Sequence, residues 1–434
     1  MRAFSTIITF TLILLILSAC GSQQSQANNL PATLTAIPVA PTLELTAVAQ
    51  IDVAPTTTPL PSAAPTILPS PSPTMTPTPI FPPFPGSQPI DRELIGIQVH
   101  PFGEDQELII AQLNELGVGW VKIQISWKLF QPAPDRYDDF WFGETDRFIA
   151  AANDADIKVL VGIAKAPEWS RPTTEEDGPP TDYTQFKAFS QLLAERYGSQ
   201  VEAWELWNES NLRREWNGFP IDGAEFTRLV AAGEEGIRAA DPDAFLISGA
   251  PAPTGINDGV SAVDDRIYFE QMLATGIGNH VDAIGYHPYG AANPAWATLS
   301  STADFATSHN DHPSFFFSHT TEDYLNLMGQ YDVDKPLWGT EFGWGTFENL
   351  DKTAPAGAEF MNQMTEWQQA EHIIDVYIFA QENDSIGTMF LWNLNFGPLL
   401  GADFAETGYS ILRPDGSRRT AFHALGNIPK EQKP

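Results

Sequence analysis

The sequence is poor in cysteine and in basic side chains. Cys20 is the one cysteine in 434 residues, which excludes a disulfide framework and any zinc site built on thiolates. Lysine and arginine number 23 against 55 aspartates and glutamates, a formal charge of −32 at pH 7. An acid excess of that size repels phosphate backbones and anionic bilayers, so nucleic acid is excluded as a partner. A membrane-length apolar run is also missing, since the stretch from about Ile7 to Leu17 is too short to span. Neither a Ser-His-Asp arrangement nor a redox cysteine pair is evident, and no cofactor is expected. What the chain does have is aromatic surface: 11% aromatics, with twelve tryptophans. Such rings suit contact with flat apolar faces, those of sugars among them.

The chain divides into three parts. Residues 1–20, MRAFSTIITFTLILLILSAC, carry one Arg before a short apolar run, the pattern of a secretory signal. The run ends Leu17-Ser18-Ala19-Cys20-Gly21, which resembles the bacterial lipobox. That resemblance implies cleavage before Cys20, acylation of its thiol and new amino group, and a membrane attachment made through this lipid alone. Residues 21–90 hold 16 of the 36 prolines and only two charges, Glu44 and Asp52. Stretches such as PSPSPTMTPTP cannot bury a core, and they predict an extended, polyproline-like tether.

Residues 91–434 carry the remaining charge, −31, and alternate short apolar strands with helical spacing. Candidate strands are 94–100, 120–126, 158–164, 201–207, 244–250, 281–287, 336–342 and 388–394. Eight strands with interleaved helices predict an α/β fold, a closed (β/α)8 TIM barrel with its active site at the C-terminal strand ends. An open doubly wound sheet is the competing architecture. It would place a glycine-rich loop after the first strand, where His100-Pro101-Phe102-Gly103 stands instead.

Two strand ends carry chemistry. Strand four closes in Trp207-Asn208-Glu209-Ser210, and strand seven in Thr340-Glu341-Phe342-Gly343-Trp344. One Glu at each, facing one cavity, is the equipment of glycosidic cleavage: one carboxyl protonates the leaving oxygen and the other attacks or stabilises the anomeric centre. On these motifs the domain resembles a clan A glycoside hydrolase, similar to families 39 and 5. The resemblance implies that Glu209 is the general acid/base and Glu341 the nucleophile, with Asn208 bonding the sugar 2-hydroxyl. It implies also that Tyr289, two residues after His287, bonds the nucleophile and that Trp392 is a platform beneath the sugar, and it places His287, Tyr289 and Lys122 among the substrate contacts. Two positions depart from the clan pattern: Lys122 stands where many members have Arg, and Ser210 where Pro is commoner.

Further expectations follow from position. Trp127, Trp169, Trp216 and Trp344 all fall after strands, where they are candidates for additional sugar subsites, and on them rests an expectation of endo action on a β-linked glycan. Glu205, four residues before Glu209, is expected inside the barrel. His309, His312 and His319 lie in a long loop after strand six that could wall the cleft or cover it, and no metal site is expected there. The mechanism requires Glu209 to begin protonated, and two close carboxylates raise the pKa of one of them. The domain is expected to act as a monomer on a carbohydrate, lipid-anchored outside the cytoplasm. A non-catalytic sugar-binding lipoprotein and a transglycosylase are the competing functions.

Overall fold

A computed structural model describes residues 88–304 and 309–432. The signal peptide, Cys20 and nearly all of the 21–90 tether lie outside the described residues.

Eight parallel strands form the barrel: β1 (Ile95–Gln98), β2 (Trp120–Ser126), β3 (Lys158–Ala164), β4 (Ala203–Leu206), β5 (Phe245–Ser248), β6 (Ile284–Tyr286), β7 (Leu337–Phe342) and β8 (Ile386–Leu391). Each pairs with its chain neighbours except across the β5–β6 seam, and β1 pairs with β8. The seam between β5 and β6 is closed by one parallel bridge, Ile247 to Ala283, and by Ser248 Oγ accepting from Gly285 N at 3.0 Å. The sheet therefore closes into the expected (β/α)8 barrel. Around it run α1 (Gln106–Leu116), α2 (Asp139–Asp154), α3 (Tyr183–Tyr197), α4 (Gly223–Ala240), α5 (Asp265–Ala274), α6 (Phe317–Gln330), α7 (Glu366–Glu382) and α8 (Thr420–Asn427).

Strand alternation separates two cores. Val121, Ile123 and Ile125 of β2, with Val159, Val161 and Ile163 of β3, face outward and bury against the helices. Trp120, Leu160, Ala203, Ile247, Ala283, Trp338 and Phe390 turn inward and plug the barrel. Above this plug the interior turns polar, with Lys122 and Glu205 each 1% exposed. Gly162 makes room for them: a Cβ there would lie 3.2 Å from Glu205 Oε2.

Part of the acid excess is spent on helix starts. Asp105, Asp138, Asp182, Asp222 and Asp264 accept from backbone N–H groups at the N-termini of α1 to α5, where the helix dipole favours negative charge. The chain enters at the opposite end from the mouth. Ile90 and Asp91 pair with Lys430 and Glu431, and Gln381 holds Asp91 N at 2.7 Å and the Pro89 carbonyl at 2.8 Å. Arg92, next in line, lies under Gly119, just below the start of β2.

Candidate active site

Glu209 lies three residues past β4, on a turn that the backbone bends sharply. Trp207 and Glu209 both take positive φ, 78° and 37°, a conformation costly for residues with a Cβ. The turn is held by Trp207 N donating to Ile163 O at 2.9 Å and Glu209 N to Ala250 O at 3.0 Å. Asn211, fully buried, ties it to the next loop by accepting from Ala252 N and donating to the Ala252 and Val263 carbonyls. Glu341 belongs to β7 itself. One carboxylate oxygen of each glutamate and one ring nitrogen of His287 lie within 4.8 Å of one another.

Each carboxylate is engaged by named partners. Tyr289 donates to Glu341 Oε2 at 2.9 Å. Lys122 Nζ is 2.7 Å from Glu205 Oε2, 3.6 Å from Glu341 Oε1 and donates to Thr340 O at 3.1 Å. Glu209 accepts from Arg214 at 2.7 Å on Oε2, and its Oε1 is 3.2 Å from His287 Nδ1. Buried Asn208 presents an Oδ1, and His287 an Nε2, that have no hydrogen-bond partner among the described residues. Trp392, half-buried just past β8, packs edge-on against Tyr289 and Tyr409. These side chains converge at the barrel mouth.

Four expectations change. Lys122 does not reach a substrate; as the third residue of β2 it sits a layer below the mouth, and its point charge is shared between two carboxylates. His287 likewise turns its Nδ1 to the glutamates. Trp127, Trp216 and Trp344 are fully buried, each donating its indole N–H inside the protein, to Gln131 Oε1, Pro220 O and Asn293 O. They tie loops down instead of lining subsites, and the expectation of endo action loses its support. Trp169 is half-buried, edge-on to Trp127, with its N–H donated to Gln131 O at 3.0 Å. The indole that the mouth-side loops do expose is Trp296, at 62%.

The fourth change concerns protonation. Burial, the largest influence on Glu209, pushes its pKa up, but the His287 hydrogen bond and the charges of Arg214 and His287 outweigh it and hold the carboxyl below its ordinary range. In the free protein Glu209 is therefore a carboxylate, contrary to the expected start. His287 is the counterpart: burial pushes it down, yet the neighbouring Glu341 and Glu209 carboxylates carry it above the ordinary imidazole value.

The histidines after β6 do not converge. His309 packs on Phe315 and Phe360, His312 faces Asp264 at 3.4 Å, and His319 accepts from Leu299 N at 3.0 Å. The two glutamates and His287 are the one grouping of three ligand-type side chains among the described residues, and Lys122 and Arg214 already supply their counter-charge. Sequence reasoning missed Arg214, Tyr409 and Glu406. Arg214 stands five residues past Glu209 in a single 3-10 turn, Arg213–Glu215, too short for any periodicity to mark it; the other two lie in a one-turn helix of the C-terminal tail, Ala405–Tyr409.

A family model for cellulase, glycosyl hydrolase family 5, matches residues 85–371. No protein of curated function matches the sequence. Among solved structures, a family 39 glycoside hydrolase from the gut symbiont Bacteroides cellulosilyticus WH2 superposes with a TM-score of 0.59 at 20% identity, over 79% of this chain and 65% of that one. This chain thus spans just under two thirds of that relative. A glucosidase from Croceicoccus marinus gives 0.55 at 15% identity, over 79% and 69%. A β-glycosidase, BGL167, gives 0.56 at 12% identity, over 79% and 97%. The structural likenesses speak for the barrel, and the family model covers more than half of the sequence with both glutamate motifs inside it: the chain belongs to glycosyl hydrolase family 5, and so to the clan A glycoside hydrolases.

Proposed function

We propose that the protein is a retaining glycoside hydrolase, lipid-anchored through Cys20, that cleaves a β-linked glycan by double displacement. The observation that carries this reading is the approach of Glu209 and Glu341, whose nearest carboxylate oxygens lie within 4.8 Å. Retaining enzymes keep their carboxyl groups about 5–5.5 Å apart, too close for a water to stand between nucleophile and anomeric carbon. The family's description as cellulase and the β-glycosidase among the structural neighbours support a β-linkage.

In the proposed reaction the sugar rests its apolar face on Trp392, and Asn208 bonds its 2-hydroxyl. Glu209, a carboxylate in the free protein, takes up a proton from solvent as the substrate binds. Glu341, oriented by Tyr289, then attacks the anomeric carbon; the bond to the glycosidic oxygen breaks as Glu209 protonates that oxygen, and an alcohol leaves. A glycosyl ester on Glu341 remains. Glu209, now a carboxylate, takes a proton from water as the water attacks, and Glu341 departs. Two inversions retain configuration.

NMR of the first-formed anomer is the deciding measurement, with retained product expected and inverted product sinking the nucleophile assignment. Glu341→Ala should abolish turnover and, with azide, give the inverted glycosyl azide. Glu209→Ala should still form the glycosyl ester from substrates with very good leaving groups, stall there, and be rescued by azide with retained product. The anchor has its own test. Cys20→Ala should move the protein from the membrane fraction to the soluble one or leave an uncleaved precursor; a processed, membrane-bound variant would remove the anchor from this reading.

A further inference from the structure

Arg214 occupies a place that two-glutamate chemistry does not explain. Its guanidinium lies on Glu209 Oε2 while His287 lies on Oε1, so both oxygens of the acid/base are covered in the free protein. A leaving-group oxygen has to reach one of them. His287 has a fully buried side chain, whereas that of Arg214 is 24% exposed. Arg214 is the partner that can give way.

Two further carboxylates share its surroundings: Glu215 follows it in the same 3-10 turn, and Glu406 lies in the short helix whose Tyr409 packs on Tyr289 at 5.4 Å. Glu406 and Glu215 both face the Arg214 charge, and each has a buried Oε2 without a hydrogen-bond partner among the described residues, as has Arg214 Nε. Burial, the first cause in each, pushes both carboxyls up to about 7. A charge-assisted bond from the guanidinium would satisfy any of these orphaned atoms. Glu406 is also joined to the glycone side: its carbonyl accepts from Asn393, next to Trp392, at 3.2 Å.

We propose that Arg214 is a displaceable clamp: its guanidinium covers Glu209 Oε2 in the free protein, and entry of the leaving group moves it onto Glu406, uncovering the oxygen that delivers the proton. This rests on Glu209 being the acid/base. Arg214 is thus a positioning residue, acting on the bond-breaking step through Glu209. The other charged or titratable groups facing Glu209 are His287 and Tyr289 after β6, Glu341 on β7, Glu215 beside Arg214, and Tyr409 beside Glu406. Lys122 reaches it through His287, and Lys165 faces Arg214 from β3's end.

The test is a pair of pH profiles, measured on a substrate with a poor leaving group, such as a methyl β-glycoside of the sugar cleaved. The alkaline limb of kcat/KM reports Glu209 in the free enzyme, and that of kcat reports it in the complex. With the clamp in place before binding and displaced after it, the kcat limb of the wild type should lie about 1–3 pH units above the kcat/KM limb, the effect of one contacting opposite charge. Arg214→Gln should raise the kcat/KM limb until the two coincide, and Arg214→Lys, which keeps the charge, should restore part of the gap. Glu406→Gln should lower the kcat limb and so narrow the gap from the other side. A wild type without a gap, or an Arg214→Gln enzyme that keeps the wild-type gap, overturns the proposal. The azide rescue of Glu209→Ala separates the two failures: rescue with an unchanged gap removes the clamp alone, and absence of rescue removes the acid/base assignment as well.

Discussion

At the scale of single residues, the two glutamates were legible because each stands in a short motif at a strand end, Trp-Asn-Glu and Thr-Glu-Phe-Gly-Trp. Their electrostatic setting was not. The contact of Arg214 with Glu209 depends on a turn in which Trp207 and Glu209 adopt positive φ, and no spacing rule encodes that turn. Tyr289 was legible only through the resemblance of His287-Pro288-Tyr289 to the clan's motif, and its bond to Glu341 gives a sharp expectation. Tyr289→Phe keeps the ring packed on Trp392 and Tyr409 and removes only the hydroxyl. A hydrogen bond to a charged group is worth about 1.5–3 kcal/mol, so kcat should fall roughly 10- to 100-fold with little change in melting temperature. Steady-state kinetics beside a thermal melt check it, and an unchanged kcat would mean that the hydroxyl does no work on Glu341.

At the scale of elements, β2 and β3 stood out in sequence because Val and Ile recur at every second position, on the face that packs against the helices, and the structure places them at the expected 120–126 and 158–164. The tryptophans misled for a related reason. Position after a strand says that a side chain is near the mouth, not whether it points into the cleft or back under its loop. Lys122 and Glu205 show the same gap between position and contact: alternation put Glu205 inside the barrel while Lys122 was expected at the substrate, and their pairing emerged only from the register of β2 through β4. Removing one partner of a buried pair strands the other, at a cost of about 3–5 kcal/mol. Lys122→Met should therefore lower the urea midpoint strongly, and Lys122→Met with Glu205→Leu should recover most of the loss. If the double variant is as unstable as the single one, the lysine stabilises the barrel by some other contact.

At the scale of the whole molecule, the barrel closes its own sheet and clasps its two ends, Ile90–Asp91 against Lys430–Glu431, beneath the strand starts. Stability should then belong to the barrel and clasp alone. A chain beginning at Gln88 should melt cooperatively at the temperature of one beginning at Cys20. One beginning at Arg92, deprived of buried Ile90 and of the Gln381 bonds, should melt several degrees lower. Calorimetry on the three decides it, and a lower melting point for the Gln88 chain would show that the preceding residues pack on the barrel. The clasp has one more consequence. Because the polypeptide enters on the face away from the glutamates, a bead, electrode or fusion partner joined at residue 88 would leave the cleft turned toward the bulk liquid. Immobilised copies would present the cleft outward, and a glycan could be brought to them without threading past the point of attachment.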